Sequence, residues 1–308
     1  MSVLLRSEGL SRSYGGVAAL HGLDLELNKG AVTGLLGPDG AGKTTTMRLL
    51  TGLIRPDRGT VWLGGEDVTG RRASSGRIGY MPQRFSLYPD LSVDENLRFF
   101  AKVFGVPARV RRERSERLLH FARLTEFRRR RAAALSGGMK QKLALACTLI
   151  HAPDVLLLDE PTTGVDPISR VELWEILTDL RDEDTTILVS TPYMDEADKC
   201  DSIVILHKGM VLDRGSPADL RNRFPDQILE VEAEPLGRAL RVLEKSGLVK
   251  SAVPFGTRLH LTVEASQTDT DPILDLLNDE GIRVGEIAGT QPSLEDVFVA
   301  LTPGENVP

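Results

Sequence analysis

Residues 37–44, GPDGAGKT, constrain the fold more than any other part of the sequence. They follow a short apolar run, AVTGLLG at 31–37, and open a helical pattern, KTTTMRLLTGL at 43–53. The spacing G-x-x-x-x-G-K-[ST] between a strand and a helix is typical of a loop whose backbone N–H groups surround phosphates. In that context, a glycine-rich surface turn without a ligand is the weaker interpretation.

The positions of this loop have distinct predicted roles. Its glycines let the backbone curl so that the amides face inward. Lys43 is expected to reach the β- and γ-phosphates of a nucleotide, and Thr44 to offer its hydroxyl to Mg²⁺. The residues predicted to contact the nucleotide here are Gly37, Pro38, Asp39, Gly40, Ala41, Gly42, Lys43, Thr44 and Thr45.

A second apolar run, VLLLDE at 155–160, ends in two acids. A strand buried on both faces would deliver Asp159 to its carboxyl end, where open α/β sheets bind ligands. Asp159 is then placed to hold Mg²⁺ through water, and Glu160 to orient or polarise the attacking water. Alone, either acid is equally consistent with a helix N-cap; the phosphate loop makes the catalytic interpretation the stronger one.

The third segment is LSGGMKQ at 135–141, where Ser136, Gly137 and Gly138 precede a helical pattern. Helix N-terminal amides there would face a γ-phosphate. With the other two motifs around it, the sequence resembles the nucleotide-binding domain of the ABC transporter family, and LSGGMKQ resembles the family signature. The resemblance implies a head-to-tail dimer, in which each ATP lies between the phosphate loop of one subunit and the signature of the other.

Three further positions match the family. Tyr14, in SRSYGG, resembles the aromatic residue that stacks on adenine, although a lone aromatic is more often part of a core. Gln83, in YMPQ, resembles the Q-loop glutamine that touches Mg²⁺ and water and senses a membrane partner. Asp166, in GVDP, resembles the D-loop aspartate at the dimer interface. The segments STPYMDEAD and SLEDVFVALT are most similar to drug-resistance and ABC-2 type exporters.

One position departs from the family pattern. The switch segment normally begins with a histidine before YMDEA, and here Pro192 occupies that place. Proline has neither a side-chain donor nor a backbone N–H. Two hypotheses follow: Glu160 suffices and the site hydrolyses ATP slowly, or the site is a degenerate, ATP-gated clamp or regulatory subunit beside an active partner. The intact Glu160 slightly favours hydrolysis.

Strands alternate with helices along the first part of the chain, which predicts a P-loop α/β core with helices on both faces of a parallel sheet. The resemblance covers this ABC ATPase domain, at 1–222, with an inserted helical subdomain at about 84–150. Residues 223–308 read as a βαββαβ module, which predicts a small ferredoxin-like domain with an accessory or regulatory role.

Composition limits the function. The formal net charge is −6, which argues against a basic nucleic-acid-binding surface, so no nucleic-acid partner is expected. Two arginine-rich runs, at 109–114 and 128–131, read either as solvated helix faces or as contacts to anionic lipid or a membrane subunit. The two cysteines, Cys147 and Cys200, fit no zinc spacing and are expected to be buried thiols.

No apolar run approaches the ~20 residues of a membrane-spanning helix. Any work on a membrane is therefore expected to be done through a partner. The family resemblance implies an ATPase that lies on the cytoplasmic face of the membrane, pairs with a second nucleotide-binding subunit and drives a separate permease of an exporter. A soluble ABC ATPase of DNA repair or translation is the less favoured class, because its characteristic coiled coils, zinc inserts or second nucleotide domain are not found in the sequence.

Overall fold

The computed structural model describes residues 2–71, 76–84, 87–265 and 269–302. The chain divides into two compact units, Met1–Arg214 and Gly215–Pro308. The sequence places this boundary eight residues later, after 222. The structure assigns the helix that begins at Pro217 to the second unit, because this helix packs against the last helix of the chain.

The first unit contains ten strands and six α-helices among the described residues. The strands are β1 (Val3–Tyr14), β2 (Val17–Asn28), β3 (Val32–Leu36), β4 (Arg58–Leu63), β5 (Glu66–Asp67), β6 (Ile78–Met81), β7 (Val155–Asp159), β8 (Thr186–Thr191), β9 (Ser202–His207) and β10 (Met210–Gly215). The helices are α1 (Lys43–Leu50), α2 (Val93–Val103), α3 (Ala108–Phe121), α4 (Gly137–Leu149), α5 (Pro167–Asp182) and α6 (Met194–Ala197).

A six-stranded sheet forms the centre of this unit, in the order β10-β9-β3-β8-β7-β6. The pairs β3–β8, β3–β9, β6–β7 and β7–β8 are parallel, as the sequence predicts. All residues of β3, β7 and β8 are buried. In this sheet Asp159 lies opposite Ser190, so two polar side chains meet at the carboxyl ends of adjacent strands.

A second sheet, in the order β2-β1-β4-β5, was not predicted. Its pairings are antiparallel. The signal was present in LDLEL at 23–27, where Leu23, Leu25 and Leu27 are buried and the acids between them are exposed. This period of two is typical of a strand with one solvated face.

Helix α1 is shorter than predicted, because it ends at Leu50 and not at 53. Gly52 adopts a left-handed conformation with φ 66°. The amides of Gly52 and Leu53 donate to the carbonyls of Leu49 and Arg48, respectively. This arrangement is a Schellman motif, which satisfies the last helical carbonyls and ends the helix.

Helices α2, α3 and α4 share an apolar core that includes Leu97, Leu119 and Leu143, and they form the predicted helical subdomain. Ser92 and Glu95 form a capping box at the start of α2. Within the second arginine run, Arg128 is engaged internally, since its guanidinium bonds the carboxylates of Asp94 and Glu116. These bonds raise the pKa of Arg128. Arg128 therefore stabilises the subdomain itself.

The second unit is an α+β module. It consists of α7 (Pro217–Asn222), β11 (Gln227–Glu234), α8 (Leu236–Ser246), β12 (Ser251–Phe255), β13 (Arg258–Val263), α9 (Asp271–Asp279), β14 (Arg283–Thr290) and α10 (Leu294–Leu301). The sheet order β12-β13-β11-β14, with antiparallel pairs throughout, is that of a ferredoxin-like fold. The predicted fold class is thus confirmed.

The core of this module lies between one face of the sheet and helices α8 and α9. Leu229, Leu259 and Leu261 project from the strands to meet Leu243 and Ile273 of the helices. Across the described residues of both units, no helix is long and apolar enough to cross a bilayer.

Candidate nucleotide-binding site

The phosphate loop follows β3 and leads directly into α1. Gly40 and Gly42 have φ values of 79° and 107°. Residues with a Cβ atom rarely adopt this backbone conformation. A Cβ atom at Gly42 would also lie 2.8 Å from the carbonyl oxygen of Ala19. Gly42 is the N-cap of α1 and has no side chain to cover the helix terminus, so the positive end of the helix dipole faces the loop.

Lys43 lies inside this loop, with only 4% of its side chain exposed. Its Nζ donates to the carbonyl oxygens of Gly37 at 2.7 Å and Pro38 at 3.0 Å. It also lies 3.0 Å from Oε1 of Glu160. A buried ammonium needs such partners, and here they hold it at the bottom of the phosphate loop.

Asp159, at the end of β7, is the centre of a buried polar cluster. Its Oδ1 accepts from Thr44 Oγ1 at 3.2 Å and from Ser190 Oγ at 2.8 Å. Its Oδ2 accepts from the Tyr80 hydroxyl at 3.3 Å. Burial, and then the charge of Asp159, raise the pKa of Tyr80, so this hydroxyl remains a donor. The hydroxyl of Thr44 and the carboxylate of Asp159 are hard oxygen donors, which fit Mg²⁺.

Glu160 has a left-handed backbone, with φ 48°. Such a conformation is costly for a residue with a side chain and persists only where surrounding contacts hold it. The backbone amide of Glu160 donates to Oγ and the carbonyl oxygen of Ser190, at 3.0 and 3.2 Å. Its Oε2 accepts from Gln83 Nε2 at 2.8 Å and from Thr163 Oγ1 at 3.2 Å. The turn thus directs the carboxylate of Glu160 towards Lys43 and Gln83.

A cavity of about 340 Å³ lies beside these groups. Its lining residues are Ala19, Asp39, Gly40, Gly42, Lys43, Thr44, Thr45, Gln83 and Glu160. Most of the residues predicted from the phosphate loop, together with Gln83 and Glu160, therefore surround one space. Tyr14 is not in this lining: the residue is 44% exposed at the end of β1, and the Arg12 guanidinium lies 5.1 Å from the centre of its ring.

Ser136, Gly137 and Gly138 lie at the start of α4, where Ser136 is the N-cap and accepts from the amide of Met139. They do not line the cavity of the phosphate loop. A Cβ atom at Gly138 would collide with the side chain of Ser169 in the first turn of α5. Asp166 is the N-cap of that helix and is exposed. The predicted residues thus form two clusters, with the signature and D-loop in the second.

The switch segment begins at the end of β8. Thr191 is fully buried, and its carbonyl oxygen accepts from the amide of Gly37 at 3.4 Å. Its Oγ1 accepts from the amide of Tyr193 at 3.0 Å. Pro192 between them contributes no donor. The segment therefore bonds the phosphate loop through Thr191.

Ser190, Tyr80 and Thr163 contact the two acids but were not predicted as site residues. The role of Ser190 could have been predicted, because it ends the apolar run TTILVS. The carboxyl ends of parallel strands lie at the same edge of a sheet, so Ser190 is expected near Asp159. The contacts of Tyr80 and Thr163 depend on side-chain directions that a single sequence does not specify.

Two family models and several relatives match this chain. Residues 20–163 match the family model for ABC transporters, and residues 215–302 match that for the C-terminal domain of DrrA1-3-like ATP-binding proteins. A probable multidrug ABC transporter ATP-binding protein of Escherichia coli is 41% identical over 306 residues, 96% of this chain and 51% of the relative. The chain thus spans about half the length of that relative. A daunorubicin resistance ATP-binding protein of Streptomyces coeruleorubidus is 38% identical, with 97% of this chain and 94% of the relative covered.

Solved structures of ATP-binding cassettes also match this chain. An ATP-binding subunit of an ABC transporter aligns with a TM-score of 0.65 and 32% identity over 72% of this chain and 93% of the other. A dimeric post-hydrolysis ATP-binding cassette with ADP and Pi aligns with a TM-score of 0.62 and 25% identity, over 69% of this chain and 98% of the other.

The chain belongs to the family of ABC transporter ATP-binding proteins, which are ATPases with the P-loop fold. Its relatives include ATP-binding proteins of drug resistance and multidrug transport. The predicted family is therefore confirmed.

Proposed function

We propose that this chain binds and hydrolyses ATP to power an exporter whose permease is a separate membrane protein. The observation that carries the proposal is the meeting of Lys43, Asp159 and Glu160 beside one cavity, with Thr44 and Gln83 in contact with the two acids. Such a set supplies the charges and donors that phosphoryl transfer needs, because its catalysis is largely positioning and electrostatics.

Each residue has a proposed part in the reaction. Lys43 exchanges the carboxylate of Glu160 for the β- and γ-phosphates of ATP, together with the amides of residues 40–45. Glu160, released from Lys43 but still bonded to Gln83, polarises the water that attacks the γ-phosphate. Thr44 and Asp159 would hold Mg²⁺, which supplies positive charge to the phosphate oxygens. Ser190 and Tyr80 keep the carboxylate of Asp159 in place through their hydroxyl donors.

The second cluster supports a head-to-tail dimer. Ser136, Gly137 and Gly138 lie outside the lining of the phosphate-loop cavity, although they begin a helix whose amides suit a γ-phosphate. In the proposed dimer they complete the site of a second nucleotide-binding subunit, and Asp166 lies at the same interface. The dimeric state described for a solved relative supports this arrangement. Tyr14 remains proposed as an adenine contact.

The proposed place of work is the cytoplasmic face of the membrane, with the permease as partner. The names of the relatives, which include multidrug transport and daunorubicin resistance, support export. The ferredoxin-like unit is proposed to be accessory or regulatory.

The alternative is an ATP-gated clamp that binds nucleotide without turnover, and Pro192 is the observation that favours it. The intact contacts of Glu160 with Gln83, Thr163 and Lys43 favour hydrolysis.

The test is the Mg²⁺-dependent ATP turnover of the purified chain beside Glu160→Gln and Pro192→His. We expect measurable turnover of the wild type, and a loss of about 10²- to 10⁴-fold in kcat for Glu160→Gln with ATP binding retained. Glu244→Gln, an exposed acid of the second unit, is the matched control and should leave the rate unchanged. A wild type that binds ATP without turnover, together with a Pro192→His variant that hydrolyses it, would identify a clamp.

A further inference from the structure

An ion pair connects α5 with the switch segment, away from the phosphate-loop cavity. Arg170 donates to Oε1 of Glu196 through Nε at 3.1 Å and Nη2 at 2.9 Å. Glu196 is fully buried, and the side chain of Arg170 is 25% exposed. A buried carboxylate is costly unless it is paired and hydrogen-bonded. The pair is therefore a specific feature of this segment and not an incidental surface contact.

The other oxygen of Glu196 leads towards the phosphate loop. Oε2 accepts from the hydroxyl of Thr191 at 2.6 Å. The carbonyl of Thr191 in turn accepts from the amide of Gly37, the first residue of the phosphate loop. The hydroxyl of Thr191 also accepts from Tyr193, across Pro192. Three hydrogen bonds thus fix the segment that carries proline at the place of the family's histidine.

Arg170 leads from the same pair towards the signature cluster. Its amide donates to the carbonyl of Asp166 in the first turn of α5. The preceding residue, Ser169, lies in tight contact with Gly138. The guanidinium also lies 4.2 Å from the centre of the Tyr193 ring and 3.4 Å from Oδ2 of Asp195. A continuous set of contacts therefore joins the signature helix, α5, the switch segment and the phosphate loop.

We propose that Arg170 and Glu196 form a positioning pair that holds the switch segment against the phosphate loop, so that the rate of ATP hydrolysis depends on it. Neither residue lines the nucleotide cavity. The pair acts through Thr191, whose position sets that of Gly37 and of the adjacent Ser190, the partner of Asp159 and of the Glu160 amide. The rate part of this inference rests on the proposed hydrolysis; the positioning part does not.

The first test compares ATP turnover of the full-length wild type with Arg170→Gln, Glu196→Gln and the double variant. We expect kcat to fall by about tenfold or more in each single variant, because small displacements of reacting groups are costly. The dissociation constant for ATP should stay within about twofold, since the phosphate contacts remain. The double variant should lose little more than either single variant, as expected for residues that act as a pair.

Two further variants separate positioning from general stability. Arg181→Gln removes an arginine from the other end of α5, where it pairs with Asp182 and Asp201, and should leave kcat unchanged. Thr191→Val keeps the shape of the buried residue but breaks the link to Glu196, and should lower kcat like the pair variants. If Thr191→Val and Arg170→Gln both retain wild-type kcat, or lose ATP binding and kcat in parallel, the positioning role is wrong.

Hydrogen exchange provides a readout that needs no turnover. Arg170→Gln should speed amide exchange in the peptide at 193–197 and at Gly37, relative to Arg181→Gln. If the wild type proves inert but this exchange increases, hydrolysis by this chain fails as a proposal while the positioning role stands. Unchanged exchange would contradict the positioning role whatever the rate of hydrolysis.

Discussion

The carboxyl edge of the central sheet and the core of the ferredoxin-like unit differ in what they bury. The first buries charged and polar groups, among them Lys43, Asp159 and Glu196. The second buries leucines such as Leu229 and Leu261 between its sheet and helices. Buried charges are weak contributors to stability, because desolvation offsets much of their attraction. The contrast fits the chemistry proposed for the polar edge, whereas the second core stabilises its unit by packing.

The second unit also contains one buried polar pair, His260 and Asp296, which connects two of its elements. His260 of β13 lies 2.9 Å from the carboxylate of Asp296, and Phe255 stacks on its ring at 4.1 Å. Asp296 also accepts from Ser293 in the capping box of α10. The pair therefore joins the last helix to the sheet face opposite the apolar core.

The largest effect on ATP affinity is expected at Lys43. This variant tests the proposal that the buried polar groups at the carboxyl edge of the sheet act on ATP. Lys43→Ala removes the cation proposed to contact the phosphates. It also leaves the buried carboxylate of Glu160 without its cationic partner. We expect ATP affinity to fall by about 100-fold, since loss of one partner of a buried, hydrogen-bonded charge pair costs about 2–5 kcal/mol. Equilibrium binding of a fluorescent ATP analogue measures this loss.

Lys29→Ala is the control, because that lysine belongs to an exposed ion pair with Asp184. It should bind nucleotide like the wild type. Equal losses in both variants would contradict the special place of Lys43.

An effect of similar size, but on stability and not on nucleotide binding, is expected at Leu261. Leu261→Ala removes a fully buried side chain from the second core, at a cost of about 2–5 kcal/mol in the free energy of unfolding. Urea unfolding measures the cost, and ATP affinity should stay unchanged. Leu261→Met, which conserves volume, should cost less than about 1.5 kcal/mol. A parallel loss of ATP affinity would show that the second core also serves the nucleotide site.

The sequence predicted the parts of this molecule that depend on local spacing. The phosphate loop, the strand before Asp159 and the βαββαβ order of the second unit each have a local pattern, and the fold agrees with them. The antiparallel sheet was not predicted, because the whole first part of the chain was assigned to one parallel sheet of alternating strands and helices. The strands β1 and β2 instead form a sheet of their own with β4 and β5. The end of α1 was missed because its helical pattern continues through Gly52.

Less of the candidate site than of the fold could be predicted from the sequence. Contacts such as Arg170–Glu196, between residues 26 positions apart, depend on how α5 packs beside the switch segment. Pairing of this kind is set by tertiary packing, which no short spacing encodes. The prediction of Ser136, Gly137 and Gly138 as nucleotide contacts stays a prediction, since it concerns a second subunit.

The smallest effect is expected in the labelling of the two thiols of the first unit. Their labelling tests whether burial keeps these cysteines unreactive, in contrast to the buried polar groups proposed to act on ATP. Cys147 and Cys200 are buried. Burial raises the pKa of both thiols, and nearby acids, led by Asp201, raise that of Cys200 further. Because the thiolate is the reactive form, raising the pKa lowers the reactive fraction at any pH below it. A maleimide at pH 8 should therefore label neither cysteine in the folded chain, and both in denaturant. Rapid labelling of native Cys200, which lies beside Glu196, would instead show that this region opens. That result would weaken the claim that Arg170 and Glu196 hold the switch segment against the phosphate loop.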